Sequence, residues 1–356
     1  MLHEINTCHI GDCREILRSL PEKIAQCCVT SPPYFGLRDY GMPGQLGQEK
    51  TPEEYVENMV QVFAGVRRIL KDDGTLWLNL GDSYNGSGAK SVQINSPKQM
   101  TSRGATMQRG TDVLGLKPKN LLMIPARVAL ALQADGWYLR SDIVWQKPNP
   151  MPESVLDRPT RSHEFIFLFS KSERYFYDAA AIREPAEFRT DARPFGNAGG
   201  NRHGDEERVY KPHHDSTEAR KARASEASKR NPTATVNGIR PDKQRGHTRR
   251  HAGFNDRWDG MSKIEQAEMG RNKRDVWTVA TVPYEGAHFA VFPPELIKPC
   301  ILAGTRPGDT VLDPFFGSGT TGEVAQAMGR NWIGCELNPS YSKLQAARTA
   351  QTGMVL

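Results

Sequence analysis

The 356-residue chain contains no long hydrophobic run; its apolar stretches are short, as in Phe165-Ile166-Phe167-Leu168-Phe169. A helix that crosses a bilayer needs about 20 consecutive apolar residues, so no membrane span is expected. The opening residues, MLHEINTCHIGD, have neither a basic flank nor an apolar centre. They predict no secretion signal and hence a cytoplasmic protein. Cysteine is scarce. The six thiols stand at 8, 13, 27, 28, 300 and 335, and none forms a C-x-x-C pair. Without that spacing no metal site is expected, and the thiols should be reduced and mostly buried. The G-x-x-x-x-G-K-[ST] loop that cradles a polyphosphate is missing as well. Hydrophobic residues reach only 38%. That is below the usual globular share, so part of the chain should be loop or insert.

The shortfall is concentrated in one place. Residues 201–250 hold 13 Lys and Arg against seven Asp and Glu, a surplus of +6 that equals the net charge of the whole chain. Four of the nine histidines lie there too, and apolar residues are few. Such a segment cannot build much of a core by itself. It reads either as a solvated linker or as a polyanion-binding insert that orders on nucleic acid. A second polar stretch, residues 83–118, is rich in Gly, Ser, Gln and Asn. It is too long for a routine connection and is expected to be a mobile loop, one able to close on a ligand.

Around these stretches the pattern alternates between strand and helix. Thr51-Pro52-Glu53-Glu54 opens a helix, with Thr51 as cap, Pro52 at the first helical position and Glu54 closing a capping box. Val56, Met59, Val60, Phe63, Val66, Ile69 and Leu70 give it an apolar stripe, with a stop at Gly74. The strand Thr75–Leu80 follows. A helix from near Pro125 to Gly136 leads to strand Leu139–Trp145, and Glu164–Ser170 is another strand. These last two, with no helix between them, are expected to pair antiparallel at an edge. Near the C-terminus come strand Thr310–Asp313, the turn Pro314–Gly319, helix Thr320–Met328 and strand Asn331–Glu336. The expected class is α/β with a mostly parallel sheet and helices on both faces.

Two motifs lie at strand ends, where open α/β sheets bind ligands. In the first, Cys27-Cys28-Val29 runs into Thr30-Ser31-Pro32-Pro33-Tyr34. Two prolines cannot extend a strand ladder. They stiffen a corner that carries a hydroxyl, a carbonyl and an aromatic ring; an ordinary proline turn is the bland alternative. In the second, a glycine turn is flanked by Asp313 before it and Glu336 after it. Glycines let a backbone approach a ligand, and an acid at the next strand end suits a ribose hydroxyl pair. A nucleoside without polyphosphate fits, and S-adenosyl-L-methionine is the common case.

Taken together, Thr30-Ser-Pro-Pro-Tyr34 and Asp313-Pro-Phe-Phe-Gly-Ser-Gly-Thr-Thr321 resemble the exocyclic-amino DNA methyltransferases of bacteria and their phages. The catalytic corner precedes the glycine loop, which resembles the β group, a circular permutation of the Rossmann-like methyltransferase fold. Gly11-Asp12-Cys13, Leu76–Tyr84, Trp145-Gln-Lys-Pro-Asn149 and Ala287–Leu296 extend the resemblance over about residues 5–185 and 275–345. It implies a discontinuous catalytic domain, residues 1–185 with 276–356, and a basic target-recognition insert, 186–275.

The resemblance also implies roles. An exocyclic amino group is a poor nucleophile, because its lone pair is delocalised into the ring. Ser31 Oγ and the Pro32 carbonyl would accept its two protons, with Pro32 and Pro33 fixing both in advance. Tyr34 would stack on the target base flipped from double-stranded DNA. Phe315, Gly317 and Gly319 would wrap the methionine part of the cofactor near Asp313. Glu336 would take the ribose, Asp12 the adenine edge, and Thr320 and Thr321 the carboxylate. His288, Phe289 and Pro293 would line the opposite wall. Pro299-Cys300 sits in an apolar helical run outside the corner, so Cys300 reads as structural and a cytosine-C5 mechanism is rejected.

Adenine N6 and cytosine N4 stay open, with Ser at position 31 leaning to cytosine. The other readings are an RNA or protein-amide methyltransferase, and a DNA-binding module that has lost catalysis. A homodimer, nucleoid association, and a life beside a restriction enzyme or as an orphan complete the implied picture.

Overall fold

The computed structural model describes residues 5–86, 106–107, 115–185, 269–281 and 292–350. The chain divides into two compact units, Met1–Glu184 with Asn272–Leu356, and Pro185–Arg271. Residues 186–268 of the basic insert and most of the 83–118 stretch lie outside the described residues.

The first unit is built on one eight-stranded sheet. Its strands are β1 (Thr7–Ile10), β2 (Ala25–Thr30), β4 (Leu70–Leu80), β6 (Tyr138–Gln146), β7 (His163–Ser170), β8 (Val276–Thr278), β9 (Thr310–Asp313) and β10 (Asn331–Glu336), in the order β1-β10-β9-β2-β4-β7-β6-β8. Two-residue strands β3 (Arg38–Asp39) and β5 (Thr106–Met107) pair separately. Every neighbouring pair in the large sheet is parallel except those made by β7, which runs antiparallel to both β4 and β6. The expected antiparallel pairing of β6 and β7 is therefore present, but not at an edge. β8 pairs outside β6, and a three-residue strand is too short to show a period in sequence.

Side-chain alternation splits the core into two layers. On β2 and β4, Cys28, Leu76, Leu78 and Leu80 face one cluster, while Cys27, Val29 and Trp77 face the other. Helices α1 (Cys13–Ser19), α2 (Pro52–Ile69) and α3 (Ile124–Ala134) cover the first face. Helices α4 (Pro294–Gly304) and α5 (Thr320–Ala327) cover the second, and α6 (Ser342–Ala350) ends the described chain. The result is a three-layer α/β/α fold. Cys300, inside α4, is buried with its thiol pushed far up by burial, as suits a packing residue.

Local signals decide where α2 starts and stops. Thr51 Oγ1 accepts from the Glu54 backbone N–H at 3.2 Å, but Glu54 reaches back to the Lys50 N–H rather than to that of Thr51. The buried stripe is Tyr55, Met59, Val62, Phe63, Val66 and Ile69; Val56 and Val60, assigned to it from sequence, are only partly buried. Each fully buried side chain of this size contributes about 1.5–3 kcal/mol. The helix ends at Leu70, where β4 begins, so Gly74 lies within the strand instead of capping the helix. There a Cβ would come within 3.1 Å of the Gln26 carbonyl oxygen on β2. Among the described residues no helix is long and apolar enough to cross a membrane.

Candidate active site

The C-terminal ends of β2, β9 and β10 open on one cleft. Ser31, Pro32, Pro33 and Tyr34 line one end. Asp12, Asp313, Phe315, Gly317, Thr320 and Glu336 line the other. Residues 282–291, with His288 and Phe289, lie outside the described residues. Phe292 lines the cleft, and Pro293 is buried beside it as the cap of α4.

At the glycine loop the acids are held by backbone N–H groups and threonine hydroxyls. Glu336, last residue of β10, accepts the Gly317 N–H at 2.8 Å and the Asn338 N–H at 2.7 Å, one on each oxygen. Burial, with Asp313 nearby, pushes its carboxyl above the usual range despite those bonds. Each carboxylate oxygen has a second lone pair, so the group can still accept from a vicinal diol. Asp313 accepts from Thr30 Oγ1 (2.6 Å), Thr321 Oγ1 (2.7 Å) and the Phe315 N–H (3.0 Å). All three donors are neutral, and burial raises its pKa to about 6. Gly317, at φ +54°, turns its backbone along the cleft. Acid, glycine backbone and apolar wall fit a nucleoside bearing a cationic group.

Two residues expected to touch the cofactor stand outside the cleft lining. Thr321 is fully buried and turned onto Asp313, away from the cleft. Gly319 is likewise absent from the lining; its φ of +92° starts α5, and a Cβ there would crowd Gln345 and Phe316 at 3.4 Å. Thr320 does line the cleft, with its hydroxyl bonded to Arg348. Asp12 also lines it, but caps α1 and chelates Arg14, which lowers its pKa.

The catalytic corner is assembled from distant strands. Tyr55 Oη donates to the Pro33 carbonyl at 2.9 Å, and Pro32 is buried. Tyr34 lies so close to Gly81 that a Cβ there would sit 2.5 Å from its ring. Its hydroxyl lies 2.7 Å from Glu164 Oε2, 3.0 Å from Asn79 Oδ1 and 3.3 Å from Ser31 Oγ. Burial first, then the Glu164 charge, pushes the phenol pKa well up, so the hydroxyl keeps its proton. Glu164 in turn pairs with Lys147. Sequence reasoning assigned no role to Asn79, Lys147 or Glu164. Lys147 and Asn79 lay within motifs already noted, but Glu164 is 130 residues from Tyr34 and begins an ordinary apolar strand.

Comparison with known proteins gives matching results. The N6/N4 methyltransferase family, described as DNA methylase, matches residues 25–348. The type II methyltransferase M.XycI of Xanthomonas campestris pv. cyanopsidis is 45% identical over 338 residues, 95% of this chain and 85% of the relative. Among solved structures, the cytosine-N4-specific PvuII DNA methyltransferase superposes with a TM-score of 0.56 at 18% identity, over 98% of this chain and 88% of that one. A Thermus thermophilus protein described as a DNA modification methylase, solved with S-adenosyl-L-methionine, gives 0.50 at 22% identity over 98% and 96%. At these identities the two structures speak for the fold.

Proposed function

Because the chain belongs to the N6/N4 DNA methylase family, we propose that its cleft binds S-adenosyl-L-methionine beside a base flipped from duplex DNA. The protein is a sequence-specific DNA methyltransferase acting on exocyclic amino groups. The observation that carries the site assignment is the single cleft shared by the Ser31–Tyr34 corner and the Asp313–Glu336 loop.

In this reading Glu336 accepts the ribose hydroxyls, and Gly317 and Phe315 border the methionine part. Asp313 sets a negative potential where the cofactor carries its positive sulfur. When bound, the cofactor would supply an electrophilic methyl group to the amino nitrogen, leaving the sulfur neutral, and the nitrogen would lose its displaced proton to water. Ser31 Oγ and the Pro32 carbonyl accept from the amino group, and Tyr34 stacks on the base. The basic insert, 186–275, contacts DNA as the target-recognition region. Both adenine N6 and cytosine N4 stay open as the target, with Ser31 leaning toward cytosine. A cognate restriction enzyme, a homodimer and a cytoplasmic, nucleoid-associated location belong to the same reading.

The test is methyl transfer to unmethylated genomic DNA, followed by mass spectrometry of the digested nucleosides. N4-methylcytosine or N6-methyladenine is expected and names the base. Cofactor binding with no methylated nucleoside would overturn the assignment and return the RNA, protein or non-catalytic readings.

A further inference from the structure

A serine hydroxyl serves as an acceptor only if its own proton is directed elsewhere. Around Ser31 the hydrogen bonds show where that proton goes. Ser31 Oγ has Tyr34 Oη at 3.3 Å. Tyr34 has one proton and two acceptors on its far side, Glu164 Oε2 at 2.7 Å and Asn79 Oδ1 at 3.0 Å. Whichever takes it, the phenol proton is committed away from Ser31. Its oxygen lone pair then faces the serine.

The far side is itself fixed. Asn79 Nδ2 donates to Glu164 Oε2 at 3.2 Å and to the Phe165 carbonyl at 3.1 Å, so its Oδ1 is turned to the phenol. The other Glu164 oxygen pairs with Lys147, whose ammonium lies 4.3 Å from the Trp145 ring centroid. Glu164 and Lys147 retain only 16% and 19% side-chain exposure. An ion pair this enclosed competes little with water, and a hydrogen bond to a charged group is the stronger kind.

We propose that Glu164, held by Lys147 and Asn79, is a positioning residue that draws the Tyr34 proton and so turns the Ser31 hydroxyl proton away from the substrate. The Ser31 lone pairs then face the amino group before it arrives. Tyr34 has two separable functions, a ring for the base and a hydroxyl for the serine. This inference rests on the reading of Ser31 as acceptor.

Tyr34→Phe keeps the ring and removes the hydroxyl. Glu164→Gln keeps the shape and removes the charge. The readouts are the single-turnover transfer rate with enzyme in excess, the DNA KM, and the cofactor Kd by calorimetry. Each variant should transfer methyl about tenfold to a hundredfold more slowly, the effect of a lost charge-assisted bond, with KM and Kd within twofold of wild type. The double variant should be no slower than the slower single one, because both changes cut one chain. Should Glu164→Gln fail to fold, Tyr34→Phe alone decides. Single variants at wild-type rate, with Ser31→Ala inactive, would overturn the inference and leave the Ser31 assignment standing. Wild-type turnover by Ser31→Ala would instead overturn that assignment.

Discussion

Two acids stand at the site, Asp313 buried in the cleft wall and Glu164 half-buried behind Tyr34, and they are satisfied differently. Asp313 is surrounded by neutral donors, two threonine hydroxyls and a backbone N–H, and its pKa rises to about 6. Glu164 faces a full cation, Lys147. One end thus keeps unneutralised negative charge, with Glu336 adding to it; the other is internally balanced. An unbalanced acid attracts a cationic ligand. A balanced one directs protons without attracting anything. That division suits the proposed reading, in which a sulfonium lies near Asp313 and a neutral base near Tyr34.

The sharpest test of the division removes the acceptor at the balanced end. Ser31→Ala should slow single-turnover transfer by about a hundredfold or more, the scale of one deleted preorganised group, with cofactor affinity unchanged. Next comes Gly81→Ala, whose Cβ would press to 2.5 Å of the Tyr34 ring. Overpacking of this kind costs about 1–3 kcal/mol. It should show as a lower Tm and at least a tenfold slower transfer, with cofactor Kd again steady. At the unbalanced end, Thr321→Val removes one donor from Asp313. A buried acceptor left short costs about 1–3 kcal/mol, read as a lower urea midpoint. Since Thr321 faces away from the cleft, cofactor Kd at pH 8 should stay within twofold; a larger loss would restore it as a cofactor contact.

The smallest effect is in pH. With its folded pKa near 6, against an ordinary carboxylate value of 3.8 when unfolded, Asp313 is destabilising when ionised. Its contribution to stability improves as pH falls from above 6 toward 4, because the native state takes up the proton first. Cation binding runs the other way. The affinity ratio of S-adenosyl-L-methionine to its uncharged-sulfur product should rise severalfold between pH 5 and pH 7. A flat ratio would separate Asp313 from the sulfonium.

Legibility in sequence follows from the same contrast. The Asp313–Glu336 loop could be read because both acids end strands of one β-loop-α-β unit, although its bonds reach further, Gly317 to Glu336 over 19 residues and Thr30 to Asp313 over 283. The Ser31–Tyr34 corner could be read because two prolines at a strand end have few other uses. Glu164 could not, since a glutamate before an apolar strand carries no local mark, and only the β4–β7 ladder brings it to Tyr34. Thr321 shows the converse: the resemblance implies a cofactor contact at this helix start, and its hydroxyl is bonded to Asp313 from eight residues away. Asp12 was legible as a polar residue at a strand end, but not as the cap of α1. Most strands and helices of the first unit followed from alternation and capping, while the central place of β7 depended on pairings no local pattern records.

The reversed β7 also determines what holds the site in register. In a parallel sheet, the strand ends that meet a ligand are all chain exits, each followed by its own loop. Reversing one strand places a chain entrance among the exits. Lys147 leaves β6 and Glu164 enters β7 at the same margin, with Gln146 paired to His163 and the Lys147 N–H bonded to the Ser162 carbonyl at 2.8 Å. The ladder, not the loop, sets the distance between the two charges. Residues 148–161 join the two strands across that margin and are themselves tied down, Asn149 to Thr281 and Arg161 to the buried side chain of Asp82. The ion pair is thus held in register by the strands on either side of it, whatever the connecting segment does.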